Sequence, residues 1–296
     1  MIYNSGEDKL LKFAYNLKLI PIVDVFPIVN TGTEFLEKRS GTVTINIAPA
    51  RGKWAYGKIP RLILLYLRSL IIERSEKVDF DKKTIVFNES FRSFCKHAGL
   101  TYYGGLAEKV DEMLNRMLNT TIQFSGRFDA RGERILAVGN YRIFDYGEFH
   151  FHDVDTSRKT YIKLSDLLWR ILTENCVPLD RGIVAQLGRS PRALDIYQWL
   201  AYRTYALKKP VVVSWENLRS QFDSADTPMY SFRRRFCRSL EKVSDAWPEL
   251  VISVGEKGLT VYPTGSSLTS GRRKQNTPKQ RVVSSARKSV ATENPF

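Results

Sequence analysis

Two stretches decide the fold: Pro60-Arg61-Leu62-Ile63-Leu64-Leu65-Tyr66 and Pro191-Arg192-Ala193-Leu194-Asp195-Ile196-Tyr197. Pro, Arg and Tyr recur at one offset of 131 residues (191 − 60). In each stretch proline stands in a first helical turn, where its missing N–H is no loss, and apolar residues follow at helical spacing. Further on, Phe91-Arg92-Ser93 parallels Leu218-Arg219-Ser220 at an offset of 127 (218 − 91). Each is predicted in a short helix behind an extended segment, Thr84–Phe87 or Val211–Val213. A break follows, Gly99 to Gly105 in the first copy and Asp223 to Pro228 in the second. Then comes a longer amphipathic helix, Leu106–Asn119 or Tyr230–Ala246. Two strands close each copy, Thr121–Ser125 with Arg134–Phe144, and Leu250–Val254 with Leu259–Tyr262. The order helix, strand, helix, turn, helix, strand, wing, strand therefore occurs twice. It predicts an α+β fold of two tandem winged helix-turn-helix domains related by internal duplication.

The flanks differ from this repeat. Residues 1–54 read as an N-terminal arm, with Pro21, Pro27 and the Thr42–Ile47 alternation suggesting extended segments. The first domain is expected over 55–150 and the second over 151–263. Residues 264–296 carry seven Lys and Arg, one Glu and little apolar periodicity, the signature of a disordered basic tail. The whole chain has 46 Lys+Arg against 31 Asp+Glu, a net charge of +15. Removing the tail's +6 leaves +9 on the rest, so the folded part is basic too. That balance favours a polyanionic partner.

The two long helices differ in chemistry. In the second copy Phe232, Phe236, Leu240, Val243 and Trp247 form one apolar stripe. Ser231, Arg234, Arg235, Arg238 and Lys242 fall on other faces, with Arg233 at the stripe's edge. A basic helix behind a turn suits phosphate contact and guanine reading, with Tyr230, Ser231 and Arg234 reaching deepest. Arg192 and Arg219, on the helices before it, join the expected DNA-binding set. In the first copy Leu106, Val110, Met113, Leu114 and Met117 are the buried stripe. Its remaining positions include Glu108, Lys109, Asp111, Glu112 and Arg116, a net of −1 (two basic, three acidic). That helix suits self-association or weaker backbone contact. The first domain's wing loop, expected from Gly126 to Glu133, brings Arg127, Arg131 and Arg134 as candidates for a narrow minor groove. The second wing, Gly255-Glu256-Lys257-Gly258, offers one cation.

Other chemistry is sparse. Gly265 to Gly271 has five intervening residues where a Walker A loop has four, and Arg272 stands where Lys belongs. His150-Phe151-His152 resembles the His-hydrophobic-His signature of rolling-circle nickases, with Glu148 as a third ligand and Tyr197, Tyr202 or Tyr205 as a nucleophile. The weight of the residues is against it, so no catalytic residue, metal or cofactor is expected. Asp180 reads as a helix N-cap and Asp195 as a partner in a structural ion pair. Cys95, Cys176 and Cys237 are too scattered for a disulfide scaffold and fit a reducing cytoplasm. Leu17–Val29 is too short and too interrupted to span a bilayer, and no signal peptide is read.

Ser190-Pro191-Arg192-Ala193-Leu194-Asp195-Ile196-Tyr197-Gln198-Trp199-Leu200-Ala201-Tyr202-Arg203 resembles a hallmark of plasmid-encoded RepA-type replication initiators. So do Tyr56-Gly57-Lys58-Ile59-Pro60-Arg61-Leu62, Val177-Pro178-Leu179-Asp180, and Trp215 with Leu218, Gln221 and Phe222. The resemblance spans roughly residues 55–263 and departs around Gly104-Gly105, where Ala107-Glu108 follow in place of a further glycine. It implies a non-enzymatic, iteron-binding initiator of theta-type plasmid replication in a bacterial cytoplasm. Its implied partners are repeated origin sites in double-stranded DNA and host replication proteins such as the helicase. A homodimer joined through the first domain would act as a repressor or as a copy-number brake. A transcriptional repressor of the same fold is the neighbouring alternative.

Overall fold

The structure is a computed structural model. It describes residues 25–264 except 41–42, 131–132, 152–158, 175–176, 178, 206 and 224–226. The predicted basic tail after Thr264, residues 1–24 of the N-terminal arm, Arg131, His152 and Cys176 lie outside the described residues. Among the described residues there are eight α-helices and three antiparallel sheets, a mixed α+β architecture.

Helix α1 (Lys58–Ile72) opens the first half and is buried on nearly every side, from Ile59 through Leu64 to Leu70 and Ile71. A helix apolar all round has to sit inside the protein, which is why Pro60 and its aliphatic run make a central rod. Strands β3 (Val78–Asp79) and β4 (Thr84–Phe87) follow, then α2 (Phe91–Ala98) and α3 (Leu106–Leu118). The Ser90 side chain accepts from the Ser93 N–H and caps α2. Gly99 ends α2 at φ 72°, and Gly105 starts α3 at φ 80°, left-handed conformations that glycine adopts without strain.

The second half repeats the arrangement. Helix α4 (Asp166–Glu174) and α5 (Arg181–Leu187) lead into α6 (Pro191–Tyr205), a second rod whose buried residues run from Ala193 to Ala201. Strand β9 (Val211–Ser214), α7 (Trp215–Phe222) and α8 (Met229–Ala246) complete the parallel with β4, α2 and α3. Ser214 caps α7 as Ser90 caps α2. The Asp180 side chain accepts from the Ile183 N–H at 2.9 Å, the cap expected of it.

Strand pairing corrects the reading of the first copy. Strand β5 (Thr120–Ala130) is longer than expected, β6 (Glu133–Arg142) ends two residues earlier, and neither pairs with β4. They join β1 (Leu36–Ser40) and β2 (Val43–Pro49) in a sheet of order β1-β2-β5-β6. Leu36–Ser40 and Val43–Pro49 thus belong to a sheet with the first half, and the arm predicted to end at residue 54 is structural over these strands. Ile45 lies opposite Phe124 and Ile47 opposite Ile122, all four buried, so alternation fixes which face meets the core.

Strand β4 pairs instead with β8 (Thr160–Leu164), which pairs with β7 (Phe144–Glu148), giving the order β3-β4-β8-β7. In the second half β9 pairs with β11 (Gly258–Val261), and β11 with β10 (Ile252–Val254). The order first strand, last strand, middle strand is therefore the same in both copies, with β5–β6 inserted in the first. The boundary expected between residues 150 and 151 falls within this sheet, between β7 and β8. A second correction concerns α7. Arg92 is the second residue of its helix and Arg219 the fifth of its own, so the two do not correspond. The link from strand to helix is three residues shorter in the second copy.

One continuous cluster of buried residues runs through both halves. Across it Arg61, 0% exposed, meets Asp195, 2% exposed. No helix among the described residues is long and apolar enough to cross a membrane.

Candidate nucleic-acid interface

Helix α8 buries Phe232, Phe236, Leu240 and Val243 on one face, as its periodicity predicts. Trp215 packs edge-on against Phe232 and Phe236, and Phe222 against Phe236. This aromatic floor sets the helix's rotation. Tyr230, 74% exposed, then points outward with Arg234, Arg238 and Lys242. Four-residue spacing lines these side chains up along one side of the helix. The Arg234 guanidinium lies 5.6 Å from the Tyr230 ring centre. Lys242 Nζ reaches the Ser190 hydroxyl at 3.5 Å. None of Arg234, Arg238 and Lys242 pairs with an acid among the described residues.

The other expected arginines divide. Arg233 is half-buried and sits 4.7 Å over the Trp215 ring, so it braces α8 against α7. Arg235 is exposed but held by Asp223 Oδ2 at 3.0 Å. The same oxygen accepts from Arg192 at 3.2 Å, in a pair whose side chains are 14% and 16% exposed. Arg219 donates to the Thr227 carbonyl at 3.1 Å and ties the α7–α8 turn together. Arg192 and Arg219 therefore hold the scaffold of this helix pair, and their side chains are turned from solvent toward the turn. Ser231 is half-buried beside the stripe.

The expected arginine-bearing loop of the first half is not a loop. Arg127 lies in β5 and Arg134 in β6, in a hairpin that runs to Ala130 and Glu133. Arg127 is exposed and stands opposite Leu136, which with Val138 lies on the sheet face turned away from the core. The alternation of a ten-pair ladder accounts for this, because buried Ile122 and Phe124 put odd-numbered neighbours outward. Nothing is described of the Arg134 side chain or of Arg131.

Sequence reading missed a second basic surface. Ser90, Arg92, Ser93, Lys96, Leu100 and Tyr102 line an open groove of about 550 Å³ at α2. The Arg92 guanidinium lies 5.4 Å from the Tyr102 ring centre, and Tyr102 is 53% exposed. Basic side chains interleaved with an exposed aromatic were the signal available. By contrast α3 spends its one well-placed arginine inward, because Arg116 donates to the Trp54 carbonyl at 2.9 Å and pairs with Glu112.

Burial and hydrogen bonding shift several other titratable groups. Burial draws the Glu89 carboxyl upward, but hydrogen bonds from Lys77, Ser93, Tyr66 and His97 outweigh it and hold it below its usual value. Burial, joined by the Glu89 hydrogen bond, pushes the Tyr66 hydroxyl well above its usual range. Burial pushes the Cys95 thiol up to about 11. His150 lies beyond the end of β7 and contacts Glu148 at 2.7 Å. Among the described residues no group of three or more His, Cys, Asp or Glu is placed to hold a metal. Tyr197, one of the tyrosines weighed as a nucleophile, is 0% exposed and accepts the Asp180 N–H at 2.9 Å.

Comparison with known proteins places these features. No curated protein matches the chain. Among solved structures, a selenomethionine form of domains 2 and 3 of RctB superposes with a TM-score of 0.56 at 13% identity, covering 86% of this chain and 98% of that one. A second structure of RctB domains 2–3 gives 0.52 at 14% identity, covering 81% and 94%. At such identities the likeness is one of fold. Residues 54–217 match the family of plasmid-encoded RepA proteins, a stretch that runs from Trp54 into α7 and stops before α8. That stretch is more than half of the chain, and the protein belongs to the plasmid-encoded RepA family.

Proposed function

We propose that the protein initiates plasmid replication by binding repeated sites in double-stranded origin DNA, without catalysis of its own. Each half is read as a winged helix, and α8 as the helix that enters the major groove. The observation that carries this reading is the line Tyr230, Arg234, Arg238, Lys242, exposed along α8 and matched by no acid among the described residues. The N-terminal end of α8 would reach base edges, and Arg238 and Lys242 would reach phosphates. The groove of Arg92, Lys96 and Tyr102 offers the first half a sequence-independent hold on the backbone. Family membership supports a replication role in a plasmid-bearing bacterial cytoplasm. Host replication proteins, the helicase among them, and a second copy of the chain are the partners this role calls for.

The test is a footprint of the purified protein on its own plasmid's origin at near-physiological salt. Several evenly spaced, protected direct repeats are the expected result. A single protected inverted repeat at a promoter, with plasmid maintenance unaffected by loss of the gene, would make the protein a repressor instead. Uniform protection would leave only charge-driven binding.

A further inference from the structure

The first of the duplicated Pro-Arg stretches supplies the ion-pair partner expected of Asp195. Arg61 of α1 and Asp195 of α6 stand near the start of the two equivalent rods, yet each meets the other half. Arg61 Nε donates to Asp195 Oδ1 at 2.8 Å and an Nη to Oδ2 at 2.8 Å, a two-point fork. The remaining N–H groups go to the carbonyls of Gly57 at 2.8 Å, Phe26 at 2.8 Å and Pro27 at 3.4 Å. All five donors of the guanidinium are thus engaged. Both side chains are sealed from water within the continuous apolar core. Other polar links between the halves are of another kind: Arg181 with Glu73 and Lys83 with Asp166 lie at the surface, and Arg68 and Lys38 Nζ each reach a single carbonyl, of Val177 and Gln221.

Apolar ridges alone specify helix register weakly, since Leu, Ile and Ala repack with little penalty after a small slide or rotation. A buried fork does not tolerate such a slide, because both charges would be left without partners. Against an apolar pair of the same volume, such a bridge contributes little to stability. Its distinctive contribution is orientation.

We propose that the Arg61–Asp195 fork is a positioning pair that fixes the two halves in one orientation, and so fixes the length of DNA site the protein accepts. The second clause rests on both halves touching DNA, as the function read above requires. One inserted base pair moves two contacted segments apart by about 3.4 Å and turns them by about a tenth of a helical turn. A protein locked in one orientation cannot follow that change.

The experiment compares the full-length wild type with the double variant Arg61→Met/Asp195→Leu and with Asp195→Asn. Spin labels replace Lys109 and Glu241, both exposed and one in each half, through a bio-orthogonal residue that leaves the native cysteines untouched. The expected result, without DNA, is cooperative unfolding of the double variant near the wild-type midpoint but a broadened distance distribution. Asp195→Asn is expected to broaden it in the same direction. An unchanged, narrow distribution in both variants overturns the proposal. So does loss of cooperative unfolding in the double variant, which would assign the pair to stability.

On DNA, one base pair inserted between the segments protected by the two halves should weaken wild-type binding about tenfold, the size of one mismatched pair. The double variant should bind both sites within about twofold of each other, well under the cost of a mismatch. A wild type indifferent to the insertion overturns the site-length clause. A wild-type footprint with one protected segment instead of two also overturns that clause, through the DNA-contact reading, while the label distances still decide the orientation clause.

Discussion

Alanine at Arg234, Arg238 and Lys242 should separate base reading from phosphate holding along a single helix. Tyr230 and Lys242 are twelve residues apart, so at 1.5 Å per residue the line extends about 18 Å. A major groove about 12 Å wide cannot seat all of it, and the helix must climb toward the backbone after its first two turns. On the proposed reading Arg234, in the second turn, meets base edges. Arg234→Ala should therefore cost about 1–3 kcal/mol on the specific site and much less on scrambled DNA. Arg238→Ala and Lys242→Ala should each lower the slope of log K against log salt by about 0.9 on either DNA. Between 50 and 200 mM salt each lost contact then reduces the fall in affinity by about 3.5-fold. All three residues are exposed and carry no buried contact, so stability should change by no more than about 0.5 kcal/mol. Fluorescence anisotropy titrations on specific and scrambled duplexes at four salt concentrations supply both quantities. Arg235→Ala is the internal control, because Asp223 already holds that guanidinium. Unchanged specific affinity in Arg234→Ala and Arg238→Ala together would remove α8 as the reading helix. A larger loss in Arg235→Ala than in Arg238→Ala would reverse the roles assigned to the helix faces.

Three further outcomes follow from the core. Arg61→Leu alone strands the Asp195 carboxylate in the apolar seam and should cost about 3–5 kcal/mol. At about 2–4 °C per kcal/mol that is roughly 6–20 °C in Tm, and a fall under 2 °C would show that the seam admits water. Glu89 titrates below the unfolded value, so its contribution is full at neutral pH and fades as pH falls through the carboxylate range to that lower folded value. Urea midpoints of Glu89→Gln should accordingly lose acid sensitivity relative to wild type, and parallel pH profiles would refute the assignment. At the start of β11, a Cβ at Gly258 would lie 2.0 Å from the Val213 carbonyl oxygen, where β11 meets β9. Gly258→Ala should weaken that pairing and speed hydrogen exchange at β9 while leaving the first half's exchange intact.

Much of the molecule is local and was legible. Pro60 and Pro191 with their apolar runs announced α1 and α6, and the stripe Phe232, Phe236, Leu240 and Val243 fixed which side of α8 is dry. Helical periodicity and caps such as Asp180 act within a few residues, so one chain carries them openly. Charge was equally readable, because the outward line on α8 is what remains once its buried stripe is removed.

Pairing between distant segments was decided only in three dimensions. Strands β2, β5 and β8 all alternate buried and outward residues, and nothing local says that β4 takes β8 while β5 takes β2. The choice is made by which hydrophobic faces close one core, a sum over residues more than seventy positions apart. Placement of the arginines was settled in the same way. Arg61 and Arg192 follow proline in matching stretches, yet one is sealed against Asp195 and the other half-covered against Asp223. Sequence alone determined that the chain folds as a basic, duplicated helix-and-strand unit. Tertiary structure decided which of its described cations are left without an acid, because Arg235 at the surface and Arg192 beneath it both fall within reach of Asp223 while Arg234 and Arg238 do not.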